Sequence, residues 1–224
     1  MSTTAVLHPT PIASLNTETG AHDPDSAQWL DRGLALLLLI FLAPLLIATA
    51  IAIVATSRGS IFFRQTRIGH GGKGFLCYKF RTMEVDAERR LEFLLQNDAE
   101  ARREWERDQK LRNDPRITSI GHFLRKSSID ELPQLLNVVL GDMRLVGPRP
   151  IVESERHKYG RYFRDYCSVR PGITGLWQVS GRNDVSYRRR VAYDVLYSKH
   201  RSLLVDIGIL FATVPCVLFR RGSY

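Results

Sequence analysis

The chain has 224 residues, enough for one domain with an ordinary core and attachments at its ends. Lys and Arg number 32 against 23 Asp and Glu, a formal charge of +9, which favours an anionic partner: a phosphate ligand, nucleic acid or anionic lipid. Cys77, Cys167 and Cys216 are far apart, odd in number and without a CxxC, so neither a disulfide framework nor a zinc site is indicated. The six histidines show no ligand spacing.

The first segment, Met1 to Gln28, is rich in Thr, Ser, Ala and Pro without an apolar period, and reads as a disordered tail. It contains no Lys or Arg, which makes it a poor start for a signal peptide. Gly33 to Ser57 then carries no charge at all. As a helix its apolar run extends about 37 Å, enough for a hydrocarbon core of about 30 Å. A membrane segment is the reading its hydropathy favours over a buried soluble helix or a cleaved signal peptide. Pro44, in mid-segment, predicts a kink. Spanning and re-entrant topologies both stay open.

Ile61–Arg67 and Phe75–Phe80 predict two strands of a hairpin around GHGGKG. Gly69, Gly71 and Gly74 match a dinucleotide fingerprint by letter only, because a strand follows where a helix is required. Lys79 and Arg81, in KFRTM, place two alternate cations at the end of the second strand. Glu84–Arg112 predicts a charged helix with a sparse apolar stripe at Leu91, Leu94 and Leu95, ended by Asn113-Asp114-Pro115.

The densest chemistry lies in SSIDELPQLLNVVLGDMRLVGPRP, Ser127 to Pro150. Asp130 and Glu131 stand side by side, preceded by Arg125-Lys126 and followed by Arg144 and Arg149. Pro133 is tolerated only in a first helical turn, so the helix carrying Leu132, Leu135, Leu136 and Val139 is expected to start near Asp130. Both acids then sit at the positive end of a helix dipole, where carboxylates stay ionised and anions bind. Adjacent residues on a helix point about 100° apart, so the two acids converge only at such a start. This set suits phosphoryl transfer, with one acid attacking phosphorus and the other holding Mg²⁺. The competing reading is a helix cap, with Asp130 as N-cap or Ser128 and Glu131 as a capping box.

After Pro150, Ile151–Tyr166 predicts an amphipathic helix, Arg170–Gly175 a loop and Leu176–Val179 a short strand. Trp177, Gln178, Arg182 and Asn183 could meet a base or sugar by stacking and hydrogen bonding. Tyr187–Lys199 predicts a basic helix. Leu203–Phe219, apolar but broken by Asp206 and Pro215, predicts an interfacial helix followed by Arg220 and Arg221.

The Ser127–Pro150 stretch, followed by RPGITGLWQVSGRN at Arg170–Asn183, resembles the bacterial sugar transferases, the monotopic phosphoglycosyl transferases acting on undecaprenyl phosphate in exopolysaccharide assembly. The resemblance runs from about Leu30 to the C-terminus and is closest to the short galactose phosphotransferases. It implies a mixed α/β, mostly helical fold: a disordered tail (1–29), a re-entrant or spanning membrane helix kinked at Pro44 (30–57), a catalytic domain on the cytoplasmic face of the bacterial inner membrane (58–202), and an interfacial helix (203–224). In the family the membrane helix is re-entrant and broken at Ser-Pro, where this chain has Ala43-Pro44.

The resemblance further implies transfer of a hexose-1-phosphate, galactose or glucose, from a UDP-sugar to undecaprenyl phosphate with release of UMP. Asp130 would carry a covalent phosphosugar and Glu131 would hold Mg²⁺. Arg125 and Arg149 would bind phosphate oxygens. Lys79 and Arg81, in the string the family keeps beside its active site, become phosphate or membrane-surface candidates. The implied partners are the UDP-sugar, undecaprenyl phosphate and inner-membrane lipids, and not nucleic acid; a homo-oligomer is left open. Two rivals remain: a membrane-tethered basic adaptor for anionic lipid or nucleic acid, and direct attack by lipid phosphate with Asp130 as base or metal ligand.

Overall fold

The computed structural model describes residues 25–108, 111, 113–181 and 185–218. It is mostly helical, with one long apolar helix near the N-terminus and two small sheets. That helix, α1 (Asp25–Thr56), is the one described helix long and apolar enough to cross a membrane. It continues through Pro44, which lies on its exposed side.

One face of α1 packs on the rest of the chain at helical spacing. Ala35, Leu38, Leu39 and Leu42 join a cluster with Leu135, Val138, Met143 and Tyr197. Leu46, Ala50 and Ile53 join a second with Phe80 and Leu124. The opposite face leaves Leu37, Ile40, Phe41, Ile47 and Ile51 bare, with Phe41 79% exposed. Apolar exposure on that scale marks contact with lipid or protein. Polar ties fix both ends. Asp31 meets the buried Arg144 at 2.7 Å, and Arg144 also reaches Asp206 at 3.8 Å. At the other end Arg81 donates to Ser57 O (3.1 Å), Ser57 Oγ (2.7 Å) and Arg58 O.

Strands β1 (Phe62–Ile68) and β2 (Gly74–Phe80) form the expected hairpin, with Phe63 opposite Lys79. Its turn places Gly71 and Gly72 at φ 65° and 74°, a backbone that glycine adopts at no steric cost. The predicted single helix of residues 84–112 is two: α2 (Ala87–Asn97) and α3 (Ala99–Asp108). Asp98 separates them. Its carboxylate accepts from Glu100 N (2.8 Å) and Ala101 N (3.0 Å), so this short acid caps a new helix instead of continuing the old one.

Thr118 N-caps α4 (Ser119–Ser127), its hydroxyl accepting from Gly121 N at 3.0 Å. Ser128 then adopts φ 58°, the sole non-glycine described with positive φ. Helical backbone resumes at Ile129 as a 3-10 turn through Glu131, and α5 (Gln134–Leu140) follows with Pro133 as its N-cap. The acids therefore precede α5 by a turn, and neither Asp130 nor Ser128 makes a side-chain cap. Both cap readings are corrected: the left-handed Ser128 takes the N-cap position of the 3-10 turn without turning its hydroxyl onto it.

Beyond α5, β3 (Arg144–Val146) pairs in parallel with β4 (Gly172–Thr174). A Cβ at Gly172 would stand 2.0 Å from Gly147 N, so the two backbones meet only because this residue lacks one. The stretch predicted as a helix from Ile151 is broken into 3-10 turns and the short helices α6 (Arg156–Tyr159) and α7 (Phe163–Cys167), with Gly160 at φ 50° between them. The predicted loop contains β4, and the predicted strand Leu176–Val179 is instead a helical turn, α8. Four residues carry too little period to tell the two apart. Helices α9 (Tyr187–His200) and α10 (Leu203–Leu218) lie where the sequence puts them.

Candidate active site

Three segments meet at the paired acids: the end of β2, the turn between α4 and α5, and the loop after β3. Their meeting depends on Asn137, which is fully buried in α5. Its side-chain amide accepts from Tyr78 N (3.0 Å) and donates to Leu76 O (2.7 Å). It thus serves the free edge of β2 as a neighbouring strand would, and it fixes where Lys79 leaves that strand.

Lys79 Nζ lies 2.5 Å from Glu131 Oε1, and Arg149 Nη1 lies 3.3 Å from the same oxygen. Burial alone would push Glu131 upward, but these two cations overcome it and hold the carboxyl well below the usual range. Asp130 behaves oppositely. Burial, and then the neighbouring Glu131 charge, push it up to about 6 against the pull of Lys79, Arg125 and Arg149. The sequence placed both acids where a helix dipole keeps them ionised; for Asp130, desolvation and its neighbour outweigh the dipole. Among the described residues Asp130 accepts no hydrogen bond and forms no ion pair. One acid is clamped and the other is held among cations with its oxygens uncommitted.

The basic residues divide in the same way. Arg125, at the last turn of α4, donates through Nε to Thr82 Oγ1 at 2.9 Å. Its two terminal NH₂ groups bond to no described residue, which leaves the guanidinium fork open. Burial lowers its pKa, and the nearby Asp130 and Asp114 charges only partly offset that. Arg149 is raised by Glu131 and is joined to it. Arg81, expected at a phosphate or the membrane surface, donates to the carbonyls of Ser57 and Arg58 just after α1.

Of the third predicted group, Trp177 and Gln178 lie among the described residues. Trp177 is buried, with the Arg190 guanidinium 4.7 Å from its ring centre. Gln178 turns its amide to Ile173 O at 3.0 Å. Arg182 and Asn183 lie outside the described residues.

Sequence reasoning passed over Thr82 and Asn137. Asn137 carried a signal, as a lone amide inside the apolar run LLNVVL. Thr82 carried none. Behind Arg149, Tyr159 donates to the buried Asp194 at 2.6 Å, and burial pushes that acid up to about 7.

Asp130 and Glu131 are the paired carboxylates at this centre, and no group of three or more His, Cys, Asp or Glu among the described residues could cage a metal. They do fit Mg²⁺ in its usual form, held by one or two carboxylates and completed by substrate phosphates and water.

A family model described as bacterial sugar transferase matches residues 26–220. The chain belongs to the bacterial sugar transferase family. The transferase is 48% identical to the exopolysaccharide production protein ExoY of Sinorhizobium fredii, over 92% of this chain and 93% of that one. It is 47% identical to the ExoY of Rhizobium meliloti, over 83% and 82%. Against the undecaprenyl-phosphate galactose phosphotransferase of Salmonella typhimurium it is 50% identical over 85% of its own length but 40% of the relative's. The transferase therefore spans nearly all of the ExoY proteins and about two fifths of the longer relative. The family membership makes it an enzyme and sets aside the adaptor reading.

Proposed function

We propose that the transferase moves a hexose-1-phosphate, galactose or glucose, from a UDP-sugar to undecaprenyl phosphate and releases UMP, starting exopolysaccharide assembly. The observation that carries the reading is Asp130: a half-buried carboxylate without a hydrogen bond among the described residues, between the clamped Glu131 and the open fork of Arg125. The relatives named for galactose and glucose transfer to undecaprenyl phosphate support the substrate class.

In the first step an Asp130 oxygen attacks the phosphorus that bears the sugar. The bond from that phosphorus to the UMP oxygen breaks, and UMP leaves with the electron pair. In the second step an oxygen of undecaprenyl phosphate attacks the same phosphorus, the bond to Asp130 breaks, and the carboxylate is restored. Arg125 grips the phosphate oxygens through its fork, which favours charge as it builds in the transition state. Arg149 does the same on the other side while keeping Glu131 ionised. Glu131 would hold Mg²⁺, which when bound offsets charge on the diphosphate and on departing UMP.

The same reading gives α1 its place. Its two ends are tied to one domain, through Asp31–Arg144 and through Ser57–Arg81, and its bare face is wholly apolar. A helix held so does not carry that domain's two anchoring points to opposite sides of a bilayer. We infer that α1 is sunk in the cytoplasmic leaflet, with both ends on the cytoplasmic side and the catalytic domain at the inner-membrane surface.

The test is UMP release from a panel of UDP-sugars, in membranes holding polyprenyl phosphate and Mg²⁺, with wild type beside Asp130→Asn. Release with one sugar and none from the variant is expected. An acid-quenched sample without lipid acceptor is expected to carry a hexose-phosphate adduct on Asp130. Turnover without that adduct would move the reading to direct attack by the lipid phosphate.

A further inference from the structure

Four basic side chains were expected at the phosphates, and three of them already hold a partner within the protein. Lys79 and Arg149 hold Glu131, and Arg81 holds the end of α1. Arg125 alone of the four has both terminal NH₂ groups without a partner among the described residues. A guanidinium fork binds an anion well only when its plane is set beforehand, because a loose Arg must give up rotamer freedom on binding. Something has to set the plane of Arg125, and it has to do so through Nε, the one nitrogen that is not part of the outward fork.

Thr82 Oγ1 makes that contact, at 2.9 Å across 43 residues of sequence. Thr82 is itself held hard. Its carbonyl accepts from Thr118 N at 3.0 Å, Met83 bridges Ile117, and Glu84 N donates to Arg116 O at 2.8 Å. A Cβ on Gly121 would stand 2.1 Å from the Thr82 oxygen, so the first turn of α4 rests directly on this peptide. Thr82 thus lies against the start of α4 through its backbone and reaches the end of α4 through its side chain. It is 7% exposed, which keeps water from competing for the Nε contact.

We propose that Thr82 is a positioning residue for the reaction: its hydroxyl fixes the Arg125 guanidinium so that the fork faces the phosphate undergoing transfer. This rests on the assignment of Arg125 to phosphate given above. Thr82 needs no contact with substrate. Its part is to accept one hydrogen bond from Nε, which serine can also do and valine, of the same shape, cannot.

The experiment is a double-mutant cycle on UMP release by the full chain in membranes, with Thr82→Val, Thr82→Ser, Arg125→Ala and the Thr82→Val/Arg125→Ala pair. Thr82→Val is expected to lower kcat/KM about 10- to 100-fold, the scale of a misplaced binding group. Thr82→Ser is expected to keep most of the wild-type rate. The pair is expected to be no slower than Arg125→Ala alone, because Thr82 has nothing left to position. Thermal melting of each variant separates the effect from a loss of fold: the valine variant keeps its melting temperature within a few degrees while kcat/KM falls.

A Thr82→Val enzyme as fast as wild type would overturn the proposal and leave Arg125 at the phosphate. Losses that multiply in the pair would also overturn it, since Thr82 would then act apart from Arg125. An Arg125→Ala enzyme at the wild-type rate would remove both the proposal and the assignment of Arg125.

Discussion

Lys79 Nζ stands 2.5 Å from Glu131 Oε1, although 52 residues separate them. The contact joins the hairpin to the turn before α5, and Arg149 completes it from the loop after β3. Glu131 is therefore ionised because of two specific neighbours, not because of a helix end. Lys79→Met keeps the aliphatic stem and removes the nearer cation. UMP release is expected to fall about 100-fold, as when one preorganised charge partner is lost at an active site. The fold should survive, because Arg149 still answers Glu131. Rates and a melting curve on the same preparation check this, and a wild-type rate would take Glu131 out of the reaction.

Asp130 predicts the pH profile. Its carboxyl is raised to about 6 by burial and by Glu131. Below that value it is protonated and a poor nucleophile; above it the carboxylate attacks. The rate constant for forming the phosphosugar adduct is expected to rise with pH through about 6 and then level off. Single-turnover UMP release between pH 5 and 8 measures it. A flat profile across that range would mean that Asp130 is ionised throughout.

The same shift has a cost in stability. An acid raised in the fold binds its proton more tightly there than in the unfolded chain, so stability is greatest below the unfolded pKa of about 4 and declines as pH rises to about 6. Above that the loss is complete. Asp130→Asn removes the charge and keeps the shape. At pH 7.5 it is expected to raise stability by about 1–2 kcal/mol, after allowance for partial solvent screening, while abolishing UMP release. The gap should close as pH approaches 4. A variant less stable than wild type at pH 7.5 would show that the ionised carboxylate is favoured by its surroundings.

Much of this centre was legible in the chain itself. The hairpin, α1, α9 and α10 follow from long periodic or apolar runs, and the acids, Arg125 and Arg149 stand out as charges crowded around Pro133. What stayed hidden has a common cause: it is decided by contacts between distant segments. Nothing near Arg81 in sequence says that its guanidinium will cap a helix ending at Thr56. Nothing near Trp177 says that Arg190 will cover its ring. The exchange of strand and helix around Gly175 turned on a backbone approach at Gly147 that only the folded chain creates.

Asn137 offers a test of how far the site depends on its support. Asn137→Ala leaves Tyr78 N and Leu76 O without their partner in a half-buried setting, at a cost of about 1–3 kcal/mol for the two groups. Because β2 carries Lys79, UMP release should fall along with the melting temperature. Asn137→Asp keeps the acceptor for Tyr78 N but sets a carboxylate against Leu76 O, and is expected to be no better. Urea or thermal unfolding in detergent, read beside turnover, checks both.

Arg81 and Arg125 are sharply distinguished by their partners, and that distinction can be measured. Gly59, at φ 111°, keeps Cβ away from the Arg81 guanidinium, which then closes over Ser57 O, Ser57 Oγ and Arg58 O at the end of α1. These groups immediately follow the last turn of α1, where a cation meets the negative end of the helix dipole. Arg81→Met is therefore expected to loosen α1 from the domain, lowering stability by about 1–3 kcal/mol, with KM for the UDP-sugar unchanged. Arg125→Met is expected to do the reverse: a small change in melting temperature and a large loss of kcat/KM. Gly59→Ala should reproduce the Arg81→Met loss, because the added methyl falls where the guanidinium sits. If Arg81→Met instead raised KM at an unaltered melting temperature, Arg81 would return to the phosphates and the end of α1 would need another hold.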